Sequence, residues 1–156
     1  MPEIEKNEEQ GGTAPLTTEK VLDLWSKTYN TEGEPDWSHI FPYYDTDIVF
    51  QDTIQRIEGF EDFSSMCHRL TGRCKQLNMD ILSIAQRDNI ILFEWIMTMM
   101  FKKFPSTPLY GVSKLTLNEK GLIAEQRDYY DLWGDIFNNI PRFGNMYRRF
   151  IKKKFG

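Results

Sequence analysis

Two aspartates stand in stretches that are otherwise built for burial. In the run Ile48-Val49-Phe50-Gln51-Asp52 the two-residue period of a strand places Ile48, Phe50 and Asp52 on one face. If Ile48 and Phe50 point at a core, Asp52 follows them inward at the strand end; the other reading is a solvated strand end. In the last strand-like run, Ala124, Gln126, Asp128 and Tyr130 alternate with Glu125, Arg127, Tyr129 and Asp131. Asp128 therefore faces away from Arg127 and Asp131, and it faces inward if Ala124 marks the inner side. A carboxylate in an apolar enclosure is costly to ionise unless it is paired, so its pKa rises, which suits a general acid or base. Tyr130, on the same face, is a candidate hydrogen-bond donor. The plainer alternative is that Asp128 accepts hydrogen bonds from a Tyr, a Trp or the backbone and only fixes its strand.

Other reactive groups are fewer. Cys67 and His68 could form a nucleophilic set with Asp128, but adjacent helical residues point about 100° apart and do not face each other. Cys67 and Cys74 are the only cysteines, about two turns (roughly 10 Å) apart if both are helical. That is too far for a disulfide, and the spacing does not suit zinc, so both read as reduced core cysteines of a cytoplasmic protein. There is no phosphate-binding glycine loop, zinc-type cluster or nucleotide fingerprint, and neither a metal nor a cofactor is expected.

The elements that must position these groups follow from periodicity. Residues 1–16 are acidic and lack apolar periodicity, and are expected to be a disordered tail ahead of one domain over 17–156. Val21, Leu24, Trp25, Thr28 and Tyr29 recur at helical spacing behind a Thr17 or Thr18 cap. A second, shorter helix is expected over 37–44, then the short strand ending at Asp52. A third helix should run from Gly59 to Arg73, with Phe60, Phe63, Cys67, Leu70 and Cys74 on one side. Strands over 75–86, 89–103, 108–117 and 121–131, joined by hairpin-like turns, complete an α+β fold whose mainly antiparallel sheet curls around its helices and encloses a pocket. The strand over 89–103 is apolar on both faces, so a second subunit is expected on the outer one.

Composition bounds the function classes. The 156 residues are 40% hydrophobic and 14% aromatic, enough for one core without disulfides or metal. A net charge of −4 argues against nucleic-acid binding. No run approaches the length of a transmembrane segment, and no stretch suits a signal peptide. From Arg142 onward, however, there are six basic residues and no acidic one, interleaved with aromatics. Such a basic helix either docks its apolar stripe on the core, with its cations complementing the helix dipole, or favours an anionic membrane surface.

The order of elements, the segment Tyr43-Tyr44-Asp45-Thr46-Asp47-Ile48-Val49-Phe50-Gln51-Asp52 followed by Gly59, and the closing Arg127-Asp128-Tyr129-Tyr130-Asp131 resemble the nuclear transport factor 2-like superfamily. Within it, the likeness is to SnoaL-like polyketide cyclases and limonene-epoxide hydrolases. The resemblance implies a cystatin-like cone of strongly curved sheet packed on three helices, a deep apolar pocket and a homodimer. It places Asp128 as the last Asp of the hydrolases' Asp, Arg, Asp set. Trp95 and Met97 fall where the other two members stand, and Phe50 and Asp52 where the hydrolases have a Tyr and an Asn, so most of the water-activating apparatus is absent. Ketosteroid isomerases of the superfamily carry their base where this chain has Asp52; their oxyanion donors fall near Trp25 and on Ser113. The implied activity is a cyclase or isomerase acting on a small hydrophobic carbonyl compound, with Asp128, Asp52 and Tyr130 catalytic. Phe50, Phe63, Cys67, Trp95, Met97 and Ser113 would line the substrate site. The alternative is a non-catalytic module of the same fold that binds a ligand or a protein.

Overall fold

Thr17 starts the first helix by accepting a hydrogen bond from the Lys20 backbone N–H through its side chain, and α1 runs Thr18–Tyr29. In the computed structural model the described residues are 14–101 and 106–156. The expected tail thus falls mostly outside them, but its last residue does not. Leu16 is 1% exposed and belongs to the core together with Val21. These are the N′ and N4 positions of a hydrophobic staple, so an apolar residue just ahead of the cap is drawn in by the helix it precedes. At the other end of α1 the Asn30 side chain exchanges two hydrogen bonds with the Met79 backbone, tying the helix to a sheet edge.

The expected second helix over 37–44 is instead two single 3-10 turns, Trp37–His39 and Phe41–Tyr43. Pro42 has no N–H to offer a continuing helix, and the chain passes directly into β1, Tyr44–Gln51. A short β2, Arg56–Glu58, pairs back on β1 and was not foreseen, because three residues carry no readable period. Gly59, at φ +90°, turns the chain into α2, Phe60–Arg73. Cys74 lies beyond that helix, opening β3, Cys74–Arg87. β4, Ile90–Phe101, β5, Thr107–Leu117, and β6, Ile123–Tyr130, complete an antiparallel meander. Residues 102 and 103, expected in β4, and most of the following turn lie outside the described residues.

The six strands form one mixed sheet in the order β2-β1-β6-β5-β4-β3. Its single parallel pairing, β1 with β6, sets Gln51 against Arg127, so the end of the first strand, where Asp52 follows, lies next to the strand that carries Asp128. The β5–β6 turn is held by Asn118, whose side-chain oxygen accepts from the Lys120 and Leu122 backbone N–H groups while its amide donates to Asp45 at 2.6 Å.

Alternation divides the sheet cleanly at β4. Ile91, Phe93, Trp95, Met97 and Met99 are buried beneath α1 and α2, with Trp25 of α1 edge-on to Phe93 at 5.7 Å. Leu92 and Met100, on the opposite face, are exposed. Gly111 of β5 pairs with Trp95 across the ladder, and a Cβ at Gly111 would fall inside the Trp95 indole. Gly111→Ala therefore forces the indole aside; we expect a loss of about 1–3 kcal/mol, read as a lower urea midpoint with an unchanged slope.

Candidate functional site

The sheet's concave face, α1, α2 and the 3-10 turns enclose an open cavity of about 370 Å³. The candidate catalytic and substrate-lining residues all lie in its wall: Asp52, Asp128 and Tyr130, with Phe50, Phe63, Cys67, Trp95, Met97 and Ser113. Strand period explains most of this convergence. Trp95 and Met97 are on the inner face of β4, and Ser113 on that of β5. On β6 the inner set is Gln126, Asp128 and Tyr130, but Ile123 rather than Ala124 is the fully buried residue at the strand's start. A register irregularity between Thr116 and Leu117 opposite that end shifts the alternation, so Ala124 does not mark the inner face, although Asp128 still points inward.

Asp128 sits within a continuous hydrogen-bonded chain. The Trp95 indole N–H donates to Ser113 Oγ at 2.9 Å, and that hydroxyl donates to Asp128 Oδ1 at 2.6 Å. On the other side the Gln126 amide donates to both carboxylate oxygens at 3.0 and 3.2 Å, and the Tyr44 hydroxyl donates to Gln126 Oε1 at 2.6 Å. Burial pushes the Asp128 carboxyl up to about 6, against the lowering effect of Ser113 and Gln126, and the Asp52 charge adds a small further rise. Such a carboxyl exchanges its proton close to neutral pH. Its partners thus fix Asp128 in place, and it still opens onto the cavity.

Asp52 is held differently. Its Oδ1 accepts from the Ile54 and Gln55 backbone N–H groups at 2.8 and 2.9 Å, closing the turn between β1 and β2. Its Oδ2 accepts from the Tyr130 hydroxyl at 2.9 Å. Burial and the neighbouring Asp52 carboxylate raise the Tyr130 phenol far above its ordinary range, so it stays protonated. Tyr130 is thus aimed by Asp52 and lies at 6.4 Å, ring to ring, from Trp95.

Cys67 is buried in the α2 wall, and burial, with the Asp128 charge, pushes its thiol up to about 12. It remains a neutral apolar wall group and no nucleophile, while His68 is exposed against Phe41. Arg69 and Arg73, one helical turn apart, add two exposed cations to the lining.

Sequence reasoning named Ser113 and Trp95 but missed the other polar pair that supports Asp128, Gln126 and Tyr44. Gln126 could have been found from its place on the same face two residues earlier. Tyr44 was hidden by its assignment to a helix. Trp37 also lines the cavity, stacked on Phe41 and edge-on to Tyr29, and among the described residues its buried indole N–H has no hydrogen-bond partner. Burial holds the Tyr29 and Tyr44 phenols well above their ordinary range.

Solved structures share the fold of this chain. An LEH-like epoxide hydrolase of M. tuberculosis is 17% identical, over 74% of this chain and 85% of that one, at a TM-score of 0.59. A candidate SnoaL-like polyketide cyclase from Jannaschia Sp. CCS1 is 17% identical, over 74% and 85%, at 0.62. An NTF2-like protein of unknown function from Exiguobacterium sp. 255-15 is 12% identical, over 72% and 96%, at 0.59. At these identities the likeness is one of fold, and the fold is the nuclear transport factor 2-like fold. No match is found among curated proteins. Residues 35–126, more than half of the chain and everything from the 3-10 turns to Gln126, match one protein family over their length. The chain belongs to that family, described as "Uncharacterized conserved protein (DUF2358)".

Proposed function

We propose that the cavity binds a small hydrophobic carbonyl compound and that Asp128 moves a proton on it, as in a cyclase or isomerase. The observation that carries this reading is a carboxyl raised to about 6 in the wall of an open, mainly apolar cavity. Asp128 takes the acidic proton next to the carbonyl. Tyr130 supplies a hydrogen bond to the developing enolate oxygen once its O–H turns from Asp52 to the substrate. Trp95 and Ser113 hold the base in place, and Phe50, Phe63, Cys67 and Met97 supply apolar contact. The likeness to a candidate SnoaL-like cyclase supports the same class of chemistry.

A second reading is favoured by one feature: both carboxylate oxygens of Asp52 are engaged, one by two backbone N–H groups and the other by Tyr130, as in a structural turn. In that case the cavity holds a ligand without transforming it. Exchange of acidic protons of small apolar ketones with deuterium, followed by NMR, separates the two. We expect exchange by wild type, a loss of about 10²–10⁴-fold in Asp128→Asn and a smaller loss in Asp52→Asn. Equal rates in all three would leave only the binding module.

Titration of Asp128 has a consequence for stability. Its folded-state pKa of about 6 lies above the ordinary 3.8, so between those values the folded chain binds more protons than the unfolded one. Stability from this group is therefore fully present below the ordinary value and lost as pH rises through about 6, by up to about 3 kcal/mol. Urea unfolding of wild type and Asp128→Asn at about pH 4 and pH 7 should show that decline in wild type alone.

We further propose a homodimer through the outer sheet face, where Leu92, Met100, Tyr110 and Tyr129 are exposed. Light scattering on a sizing column should give twice the chain mass at micromolar concentration; a monomer there overturns the dimer.

A further inference from the structure

The last helix, α3, Phe143–Phe155, contributes no side chain to the core formed by the described residues. Gly144 is its single buried residue, lying against the Asn138 backbone. Its principal contacts are with the turns just before it, Leu132–Ile136 and Phe137–Asn139, where Phe143 and Tyr147 meet Phe137 and Trp133. The expected docking of its apolar stripe on the core is therefore not seen: Phe143, Tyr147 and Ile151 are only half-buried, and none belongs to the core. The neighbouring stripe is open. Met146 and Phe150, about 40° apart around the helix, are 62% and 56% exposed, and Trp133, stacked on Tyr147, is 50% exposed.

The charge around this open stripe has one sign. Arg142, Arg148, Arg149, Lys152, Lys153 and Lys154 are exposed, and no acidic residue follows Asp135. The helix dipole accounts for cations in the last turn only; it disfavours Arg142 at the N-cap and gives no reason for Arg149 in mid-helix. Arg148 is used locally, on Asn138 and Asn145. At 100° per residue, Arg149 and Lys153 flank Met146 on one side, and Lys154 lies beside Phe150. Exposed apolar residues bordered by cations, on a chain that carries −4 overall, suit an anionic apolar boundary. A second copy of the same helix would set like charges against each other.

We propose that α3 and Trp133 form a surface that seats on an anionic membrane, with Met146 and Phe150 entering the acyl boundary and the lysines and arginines among the headgroups. No helix of the described residues is long and apolar enough to cross a membrane, so the contact is with one leaflet. The turn that carries α3 also contributes Leu132 and Ile136 to the cavity wall, which sets a seated α3 beside the cavity.

Sedimentation of the full chain with vesicles tests this. With about 30% phosphatidylglycerol in phosphatidylcholine at low salt, we expect partitioning at least tenfold above that with phosphatidylcholine alone, and a marked loss in 0.5 M salt. Replacing Lys152, Lys153 and Lys154 together by Gln should lower it about tenfold, and Phe150→Ser should lower it without altering oligomeric state. A charge-matched control, Lys75→Gln with Arg87→Gln and Lys120→Gln, should bind as wild type, with melting curves showing that each variant is folded. Equal partitioning to neutral and anionic vesicles, or equal loss in the control, overturns the proposal. So does α3-dependent binding to duplex DNA without vesicle binding, or dissociation of an oligomer by Phe150→Ser.

Discussion

Ionising a carboxylate inside an apolar wall costs several kcal/mol unless donors surround it, and around Asp128 that requirement spreads outward through the sheet. Ser113 and Gln126 must present donors, so each needs a partner of its own to hold its orientation. Trp95 fixes the first and Tyr44 the second. Neither partner is free to vary: the Trp95 indole fits only because Gly111 opposite has no side chain, and Tyr44 reaches Gln126 only because β1 lies parallel beside β6. One buried charge thus fixes the choice of residues on β1, β4, β5 and β6.

The two carboxylates divide along the same physical line. Asp52 stands at a strand end, where backbone N–H groups of a tight turn are available, and it spends one oxygen on them and the other on Tyr130. Asp128 stands in mid-sheet, where no backbone donor is left over, and depends on side chains. The first arrangement builds a fixed orienting group. The second leaves a carboxyl whose proton is exchangeable near neutrality, facing open space. Both were candidates by sequence, Asp128 in the more specific motif, and the structure shows that their environments differ.

Long periodic segments were legible. β4 could be read because Ile91, Phe93, Trp95, Met97 and Met99 repeat every second residue, and the inward set of β6 because Asp128 opposes two charged neighbours. All nine candidate residues share one cavity: period two and a curved sheet bring the strand residues there, and the buried side of α2 brings Phe63 and Cys67. What escaped was set by partners distant in sequence. Three residues of β2 become a strand only because β1 is beside them. Tyr44 reads as the end of a helix until Gln126, 82 residues on, accepts its hydroxyl. The register slip that demotes Ala124 depends on the opposite strand, and how little of α3 is covered depends on where the preceding turn leaves it. Periodicity describes one element at a time and is silent on such pairings.

The parallel pairing of β1 with β6 has a kinetic meaning as well. β3 to β6 are joined by short turns, so their contacts are local and can close early at low entropic cost. β1 must cross the chain to reach β6; Asp52 and Tyr130 are 78 residues apart. Loop closure of that span is the costly step, and its return arrives only when β1 docks. On contact order alone, the wall containing Asp52 and Tyr44 is expected to join a largely preformed meander, which would make the cavity late to form and early to open.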